Sequence, residues 1–307
     1  MRHQARRLRR WINRGFETIW SGGFAGLRWI FRPQAELWHS EGEQTVMILA
    51  PHPDDEVAGC VGAVARHREV GDRVVVVHVT DGRGSGAYGL SPEDMAQTRR
   101  REASLAAEIL GLETVEWLGL PEREWTDDEL LAPLKALLDQ YRPQVIYTSS
   151  RVDFHPDHER VARLLGKALN AEGETLQSRE PTIRLYAVHV PLTTVLCNFI
   201  VPMPDGPEEA ERALRAYYSQ VGTLLRCLRH RHHLGRLYGF SHPAEAFWQL
   251  TVEQFRRLHH EVPARPLVES FRGLRYDAWS DPLAYGVGRG ERRRLRRLAL
   301  GGCADGA

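Results

Sequence analysis

Imidazoles and carboxylates gather at two short turns of this 307-residue chain. The first turn is Pro51-His52-Pro53-Asp54-Asp55-Glu56 and the second is His155-Pro156-Asp157-His158. An imidazole and a carboxylate three residues apart can grip one cation from a tight turn. A neighbouring carboxylate then points elsewhere and is free to act as a base. Taken alone, the first turn fits a solvated helix cap equally well, since Asp is common at helix starts. A lone His-x-x-His is likewise more often surface decoration than a ligand pair. Two such turns in one chain point to one shared site. Three protein ligands plus a water is the catalytic form of a zinc centre, whereas structural zinc recruits four ligands, usually with cysteines.

The flanking residues say how the turns are positioned. Val46–Ala50 and Gln144–Ser149 are apolar runs too short for helices, and both are expected as buried strands. Helix-compatible residues follow each turn: the small-residue run Val57–Val64, and Val161, Leu164, Leu165 and Leu169 in helical spacing. Both clusters therefore sit at the carboxyl end of a strand, where open α/β sheets bind ligands. Further strands are expected at Val74–Thr80, Val115–Leu118 and Ile183–Val190. Helices are expected at about 56–70, 92–110 and 128–140, with Ser91-Pro92 as cap and first-turn pair. This alternation argues an α/β fold with a parallel sheet covered on both faces.

With these residues in place, the chain resembles the LmbE-like, or PIG-L, zinc de-N-acetylases, which remove acetyl groups from N-acetylglucosamine-containing substrates. The likeness runs from about Val46 to Gln249. Beyond PHPDDE and HPDH it includes Thr80-Asp81-Gly82, the Arg99 and Glu102 pair, Tyr218-Ser219-Gln220 and Glu245-Ala246-Phe247. Carried across position by position, the resemblance implies one zinc, or another divalent transition metal, on His52, Asp55 and His158. It makes Asp54 the general base and gives a protonated His155 the oxyanion, with Asp157 orienting an imidazole. It also implies a Rossmann-like three-layer αβα fold with a mostly parallel sheet, plus helical N- and C-terminal extensions. The family often carries Glu where this chain has Arg83, so a role tied to that acid does not transfer. Pocket walls are expected from the Gly82–Gly89 loop, the Phe154 region, and the part near Tyr218 and Glu245.

Rival chemistries are weaker. Two imidazoles and a carboxylate also describe non-haem iron oxygenases, but no co-substrate motif is visible. A phosphoesterase would more usually assemble two metals from additional acids. A non-catalytic glycolipid-binding protein has no need of a base such as Asp54. A soluble GlcNAc-thiol-type conjugate is an alternative substrate. Gly84–Gly89 spells GxGxxG, yet the next helix begins at Ser91, beyond the last glycine, so a mobile loop over the pocket is favoured over a dinucleotide site.

Composition sets the remaining bounds. The chain is 42% apolar with a net charge of +1. Its four cysteines lack Cys-x-x-Cys spacing, as expected of reduced thiols in the cytoplasm. Charge is uneven: the first forty residues hold eight arginines against two glutamates, and 286–300 holds six arginines against one. Residues 1–40 form a basic amphipathic extension, read as lying on the anionic inner face of the cytoplasmic membrane beside a glycolipid, or as packing on the domain or in a homo-oligomer. No nucleic-acid module accompanies the Arg292–Arg297 run, which is expected as a solvated or membrane-facing tail. His230, His232 and His233 among arginines are expected as a basic helix face. The division is therefore 1–40 extension, 41–255 deacetylase domain with a helical part at 200–255, and 256–307 extension, with 201–208 the best internal boundary.

Overall fold

A computed structural model of the chain describes residues 22–40, 42–153, 155–169, 180–203, 207–260 and 289–301. Its strands are β1 (Glu36–Leu37), β2 (Thr45–Ala50), β3 (Arg73–Thr80), β4 (Thr114–Leu120), β5 (Val145–Ser149), β6 (Thr182–Tyr186), β7 (Phe199–Pro202) and β8 (Ala244–Leu250). They form one eight-stranded sheet in the order β1-β7-β8-β6-β5-β2-β3-β4. Strand β8 runs antiparallel to both neighbours, and the other pairings are parallel. The helices are α1 (residues 22–31), α2 (Asp55–Glu69), α3 (Pro92–Ile109), α4 (Asp127–Tyr141), α5 (Pro156–Ala168), α6 (Thr193–Leu196), α7 (Pro207–Ala216), α8 (Val221–Tyr238), α9 (Val252–His260) and α10 (Arg289–Ala299).

The period of two divides each central strand between two helical layers. Val46 and Ile48 join Val74 and Val76 in a core with Val61 of α2, Ala106 of α3 and Ala213 of α7. Met47 and Leu49 join Val75 and Val77 in a core with Leu134 of α4, Leu164 of α5 and Phe255 of α9. Both faces are buried, which is why these strands read as continuous apolar runs rather than alternating ones. The expected three-layer α/β architecture is the one that forms. Strand β2 leads towards β3 and β4 on one side and borders β5 on the other. The sheet's topological switch point therefore lies between β2 and β5, and both motif turns leave the sheet there.

The stretch 200–255, expected to be helical, also supplies β7 and β8. Both belong to the one sheet, so the prolines near 201–208 mark the passage from β7 to α7 rather than a second body. Glu245 of β8 explains part of this. Its buried carboxylate accepts from the backbone N–H groups of Gly62 and Ala63 in α2, at 3.0 and 2.9 Å. Arg231 of α8 pairs with it at 2.7 Å and donates to Val57 O and Ala58 O on the same helix. Glu245 is thus a splint for α2 and lines a separate pocket with Ala58 and Arg231, not the cleft that holds His52 and Asp54. Removing one partner of a buried ion pair strands the other charge in the interior. Glu245→Ala should therefore cost about 3–5 kcal/mol, read as a lowered midpoint in thermal or urea unfolding; an unchanged midpoint would refute the splint.

The basic cluster on α8 is not a solvated face, as expected, but largely core. His230, Arg231 and His233 are buried, and His233 stacks on Phe24 with ring centroids 4.5 Å apart. Phe24, fully buried against Leu234 and Leu237, docks α1 on the domain, while Trp29 and Ile30 stay exposed. Residues 1–21, which carry most of the basic amphipathic pattern, lie outside the described residues. The Arg292–Arg297 run is likewise no free tail. Arg292 is buried and donates to Pro191 O at 2.7 Å, and Leu295 and Leu298 are buried with it, while Arg293, Arg294, Arg296 and Arg297 face outward. Cys60, Cys197 and Cys227 are buried, with Cys227 Sγ 3.6 Å from Val188 O, and Cys303 is outside the described residues. No helix among the described residues is long and apolar enough to cross a membrane.

Candidate metal centre

Three donor atoms from the two turns converge. His52 Nδ1 lies 3.1 Å from His158 Nε2, Asp55 Oδ2 lies 3.1 Å from His158 Nε2, and Asp55 Oδ2 lies 3.3 Å from His52 Nδ1. Zinc–nitrogen bonds of about 2.0–2.1 Å in a tetrahedron require ligand separations of about 3.3–3.4 Å. The triangle therefore has the dimensions of one face of such a site.

The far side of each imidazole fixes which nitrogen carries its proton. His52 Nε2 lies 3.2 Å from Asp157 Oδ2, and His158 Nδ1 lies 3.1 Å from Asp153 Oδ2. Each carboxylate takes the ring N–H on its side and leaves a lone pair on the nitrogen facing the other ring. With both rings neutral, two imidazole lone pairs and a carboxylate oxygen point at one region. With no cation there, burial lowers the His52 pKa but Asp157 and Asp55 outweigh it and raise it to about 9. Asp55 and Asp153 likewise outweigh burial and raise that of His158, and a bound cation would take the place of those protons. Such a donor set suits a cation. The described residues also bring His155 within reach of His52 and His158, and Glu122 and Asp157 near His52 and His155.

Asp54 stands beside this triangle, not in it. It caps α2 with φ of 123°, a left-handed value that costs a non-glycine residue on the order of 1–3 kcal/mol. The conformation is over-determined. Glu56 Oε2 accepts from Asp54 N at 3.1 Å, and Asp54 O accepts from Ala58 N at 2.8 Å. Tyr217 in turn donates to Glu56 Oε1 at 2.5 Å. Arg99 Nη2 lies 2.9 Å from Asp54 Oδ1 and also donates to Pro53 O. Burial raises the Asp54 pKa to about 6, with Arg99 opposing the rise and Asp55 adding to it.

His155 departs from expectation. It caps α5, and its Nδ1 accepts a hydrogen bond from Asp157 N at 3.3 Å. A doubly protonated imidazole has no acceptor to offer, so the ring is neutral with its proton on Nε2. Burial and the neighbouring His52 and His158 likewise push its pKa far below the usual imidazole range. Nε2 lies 3.7 Å from Glu122 Oε1 at the edge of the cleft.

An open cleft of about 650 Å³ reaches the site, with His52, Asp54 and Asp55 at its floor. Gly82, Gly84 and Ser85 form one wall, and Gln220 and Leu224 contribute from the C-terminal part. The glycines there are needed. Gly82 sits at φ of +68°, and a Cβ on Gly84 would lie 2.3 Å from Glu122 Oε1. The loop expected to be mobile is tethered: Gly84 N donates to Glu122 at 2.8 Å, and Gln220 Nε2 donates to Ser85 Oγ at 2.7 Å. Glu102 accepts from Ser219 N and Oγ, both at 2.7 Å. The Arg99–Glu102 and Tyr218-Ser219-Gln220 stretches thus form one buckle that holds Asp54 and the loop. Phe154, expected near the pocket, lies outside the described residues.

Sequence reasoning missed Asp153, His189, Glu122 and Arg123. Asp153 supports His158 and holds His189 Nδ1 at 3.1 Å; burial alone would raise its pKa, but His189 and His158 hold it well below the usual range. An acid two residues before His155, and a His just beyond the β6 strand, were the available signals. Arg123, at φ of 68° in the turn between β4 and α4, lines the cleft beside Glu122, with its Nη2 3.5 Å from His155 Nε2.

Residues 47–169 match the family described as GlcNAc-PI de-N-acetylase, PIG-L. A probable N-acetyl-α-D-glucosaminyl L-malate deacetylase 2 from Bacillus subtilis is 27% identical over 194 residues, covering 60% of this chain and 86% of that protein. The structure of N,N'-diacetylchitobiose deacetylase from Pyrococcus horikoshii aligns with a TM-score of 0.59 at 24% identity, covering 68% of this chain and 84% of that one. A 4-carboxy-2-hydroxymuconate hydratase from Pseudomonas putida KT2440 shares the fold at a TM-score of 0.58 and 18% identity, covering 67% of this chain and 95% of that one. The fold therefore carries more than one chemistry, and the site must decide between them.

Proposed function

We infer, from the match of residues 47–169 to the PIG-L (LmbE-like) family, that the chain is an N-deacetylase of that family and hydrolyses the acetamide of an N-acetylglucosamine-containing substrate at the His52–Asp55–His158 site. The observation that carries this is the donor triangle itself, backed by Asp157 and Asp153, with a carboxylate beside it that the triangle leaves uncommitted. A divalent cation on His52, Asp55 and His158, for which zinc is the proposed ion, supplies Lewis-acid activation of water and of the amide carbonyl.

The chain's own residues do the rest. Asp54 takes a proton from the attacking water as its oxygen bonds to the acetyl carbon. His155, neutral and with its proton on Nε2, donates to the carbonyl oxygen as that oxygen gains charge. Amide nitrogen leaves poorly until protonated, so the proton on Asp54 passes to it as the C–N bond breaks. Acetate and a free amine are the products, and Asp54 returns to its starting form. Arg99 holds the Asp54 carboxylate in place, and the strained backbone of Asp54 keeps that carboxylate out of the triangle.

The test is acetate release from a panel of N-acetylglucosamine conjugates, run in air and under nitrogen. Release should occur equally in both, stop after chelation and return on adding Zn²⁺. No release from any member, or a requirement for oxygen, would overturn the assignment.

A further inference from the structure

Helix α1 carries apolar residues on two sides. Phe24, Leu27 and Phe31 recur at helical spacing and pack with Leu234, Leu237 and Tyr238 of α8, which docks the helix on the domain. Trp29 and Ile30 are left in water, 78% and 73% exposed. The docking face is already filled, so holding α1 in place does not require these two side chains. Arginines surround them. Arg28 and Arg32 are exposed at the same end of α1, and the Arg28 guanidinium lies 6.0 Å from the Trp29 ring centroid. The C-terminal segment arrives at this end as well. Arg289, which opens α10, lies over the Phe31 ring, 4.7 Å from its centroid. Further along α10, Arg293, Arg294, Arg296 and Arg297 face outward, while Glu291, paired with Arg294 at 3.4 Å, is the only acid of that helix. The arginine-rich segments from the two ends of the chain therefore meet on one side of the domain.

We propose that this surface docks on an anionic lipid bilayer, with Trp29 and Ile30 at the boundary between headgroups and acyl chains and the arginines of α1 and α10 on the headgroup phosphates. Charge selects the occupant. Exposed apolar side chains flanked by arginines suit an interface that is anionic outside and apolar within, and tryptophan favours that boundary because its ring is apolar and its N–H is polar. A second copy of this chain docked here about a two-fold axis would set arginine against arginine. The surface is separate from the cleft. Leu224 of α8 lines the cleft, whereas Leu237 meets Phe24 about 20 Å farther along the same helix. Docking thus fixes where the protein sits, and it is independent of the substrate and reaction assigned to the cleft.

The experiment is co-sedimentation of the full-length protein with vesicles of phosphatidylcholine alone or mixed with phosphatidylglycerol. Wild type should bind the anionic vesicles more tightly, and added salt should weaken that binding. The double variant Trp29→Ala, Ile30→Ala should bind the anionic vesicles about 10-fold more weakly or worse, the scale of two exposed apolar side chains. Arg293→Ala with Arg297→Ala should weaken binding about 10- to 30-fold on anionic vesicles and leave phosphatidylcholine unchanged. All four side chains are exposed, so the thermal unfolding midpoint should stay at the wild-type value in both variants. No binding by wild type, equal binding to the two lipids, binding unmoved by either variant, or a lowered midpoint that makes Trp29 and Ile30 packing residues would overturn the proposal. So would sedimentation velocity showing a wild-type dimer that Trp29→Ala, Ile30→Ala converts to monomer, since a second copy would then cover this face.

Discussion

Asp54→Asn should retain the metal content of wild type and lose turnover by on the order of 10²–10⁴-fold, the range for removing a general base. The expectation follows from geometry. The carboxylate of Asp54 is bound to Arg99, outside the triangle of His52, Asp55 and His158, so converting it to an amide leaves every proposed ligand untouched. Asparagine can keep one hydrogen bond from Arg99, and the strained backbone is held by Glu56 through the main chain rather than by the side chain. The amide cannot accept a proton from water. Metal analysis of the purified variant beside acetate-release kinetics checks both halves. A variant with substantial activity removes Asp54 from the mechanism, and one that loses its metal makes Asp54 a ligand.

His158→Ala should lose metal and activity together. His158 is fully buried and carries both sides of the arrangement: Nε2 completes the triangle, and Nδ1 meets Asp153. Without it, Asp55 and Asp153 face each other across a cavity with no imidazole between them, and two donors do not make a closed site for zinc. The measurement is metal content by mass spectrometry after dialysis, with circular dichroism to show that the sheet persists. Full metal retention would shift the site to the alternative grouping in which His155 lies within reach of His52.

The neutral state of His155 illustrates how far local context reshapes a motif. The HPDH turn supplies an imidazole at a helix start, and from composition alone a cation there is attractive for an oxyanion. In the folded chain the same imidazole caps α5, and the cap consumes the lone pair on Nδ1. Donation from Nε2 remains, so the role proposed for His155 calls for a neutral donor rather than a cation. Asp157 similarly serves two partners: its N–H goes to His155, and its carboxylate meets His52.

By itself the sequence determined the parallel core and the ends of the strands at which the two motif turns sit. Val46–Ala50, Val74–Thr80 and Val145–Ser149 are apolar on both faces, and only strands buried between two helical layers can be so. The approach of His52, Asp55 and His158 to one another was legible because short turns at strand ends keep their spacing whatever the rest of the chain does. Long-range partners were a different matter. The burial of Arg231 and Arg292 depends on whether a carboxylate or a carbonyl from a distant segment arrives to meet them, and Glu245 and Pro191 do. The same holds for Asp153 behind His158, Arg123 beside His155, and the tether of Tyr88 to Tyr218. Sequence periodicity reports which face of an element is apolar, but it carries no record of which polar group from another element satisfies a buried charge; only the tertiary structure decides that.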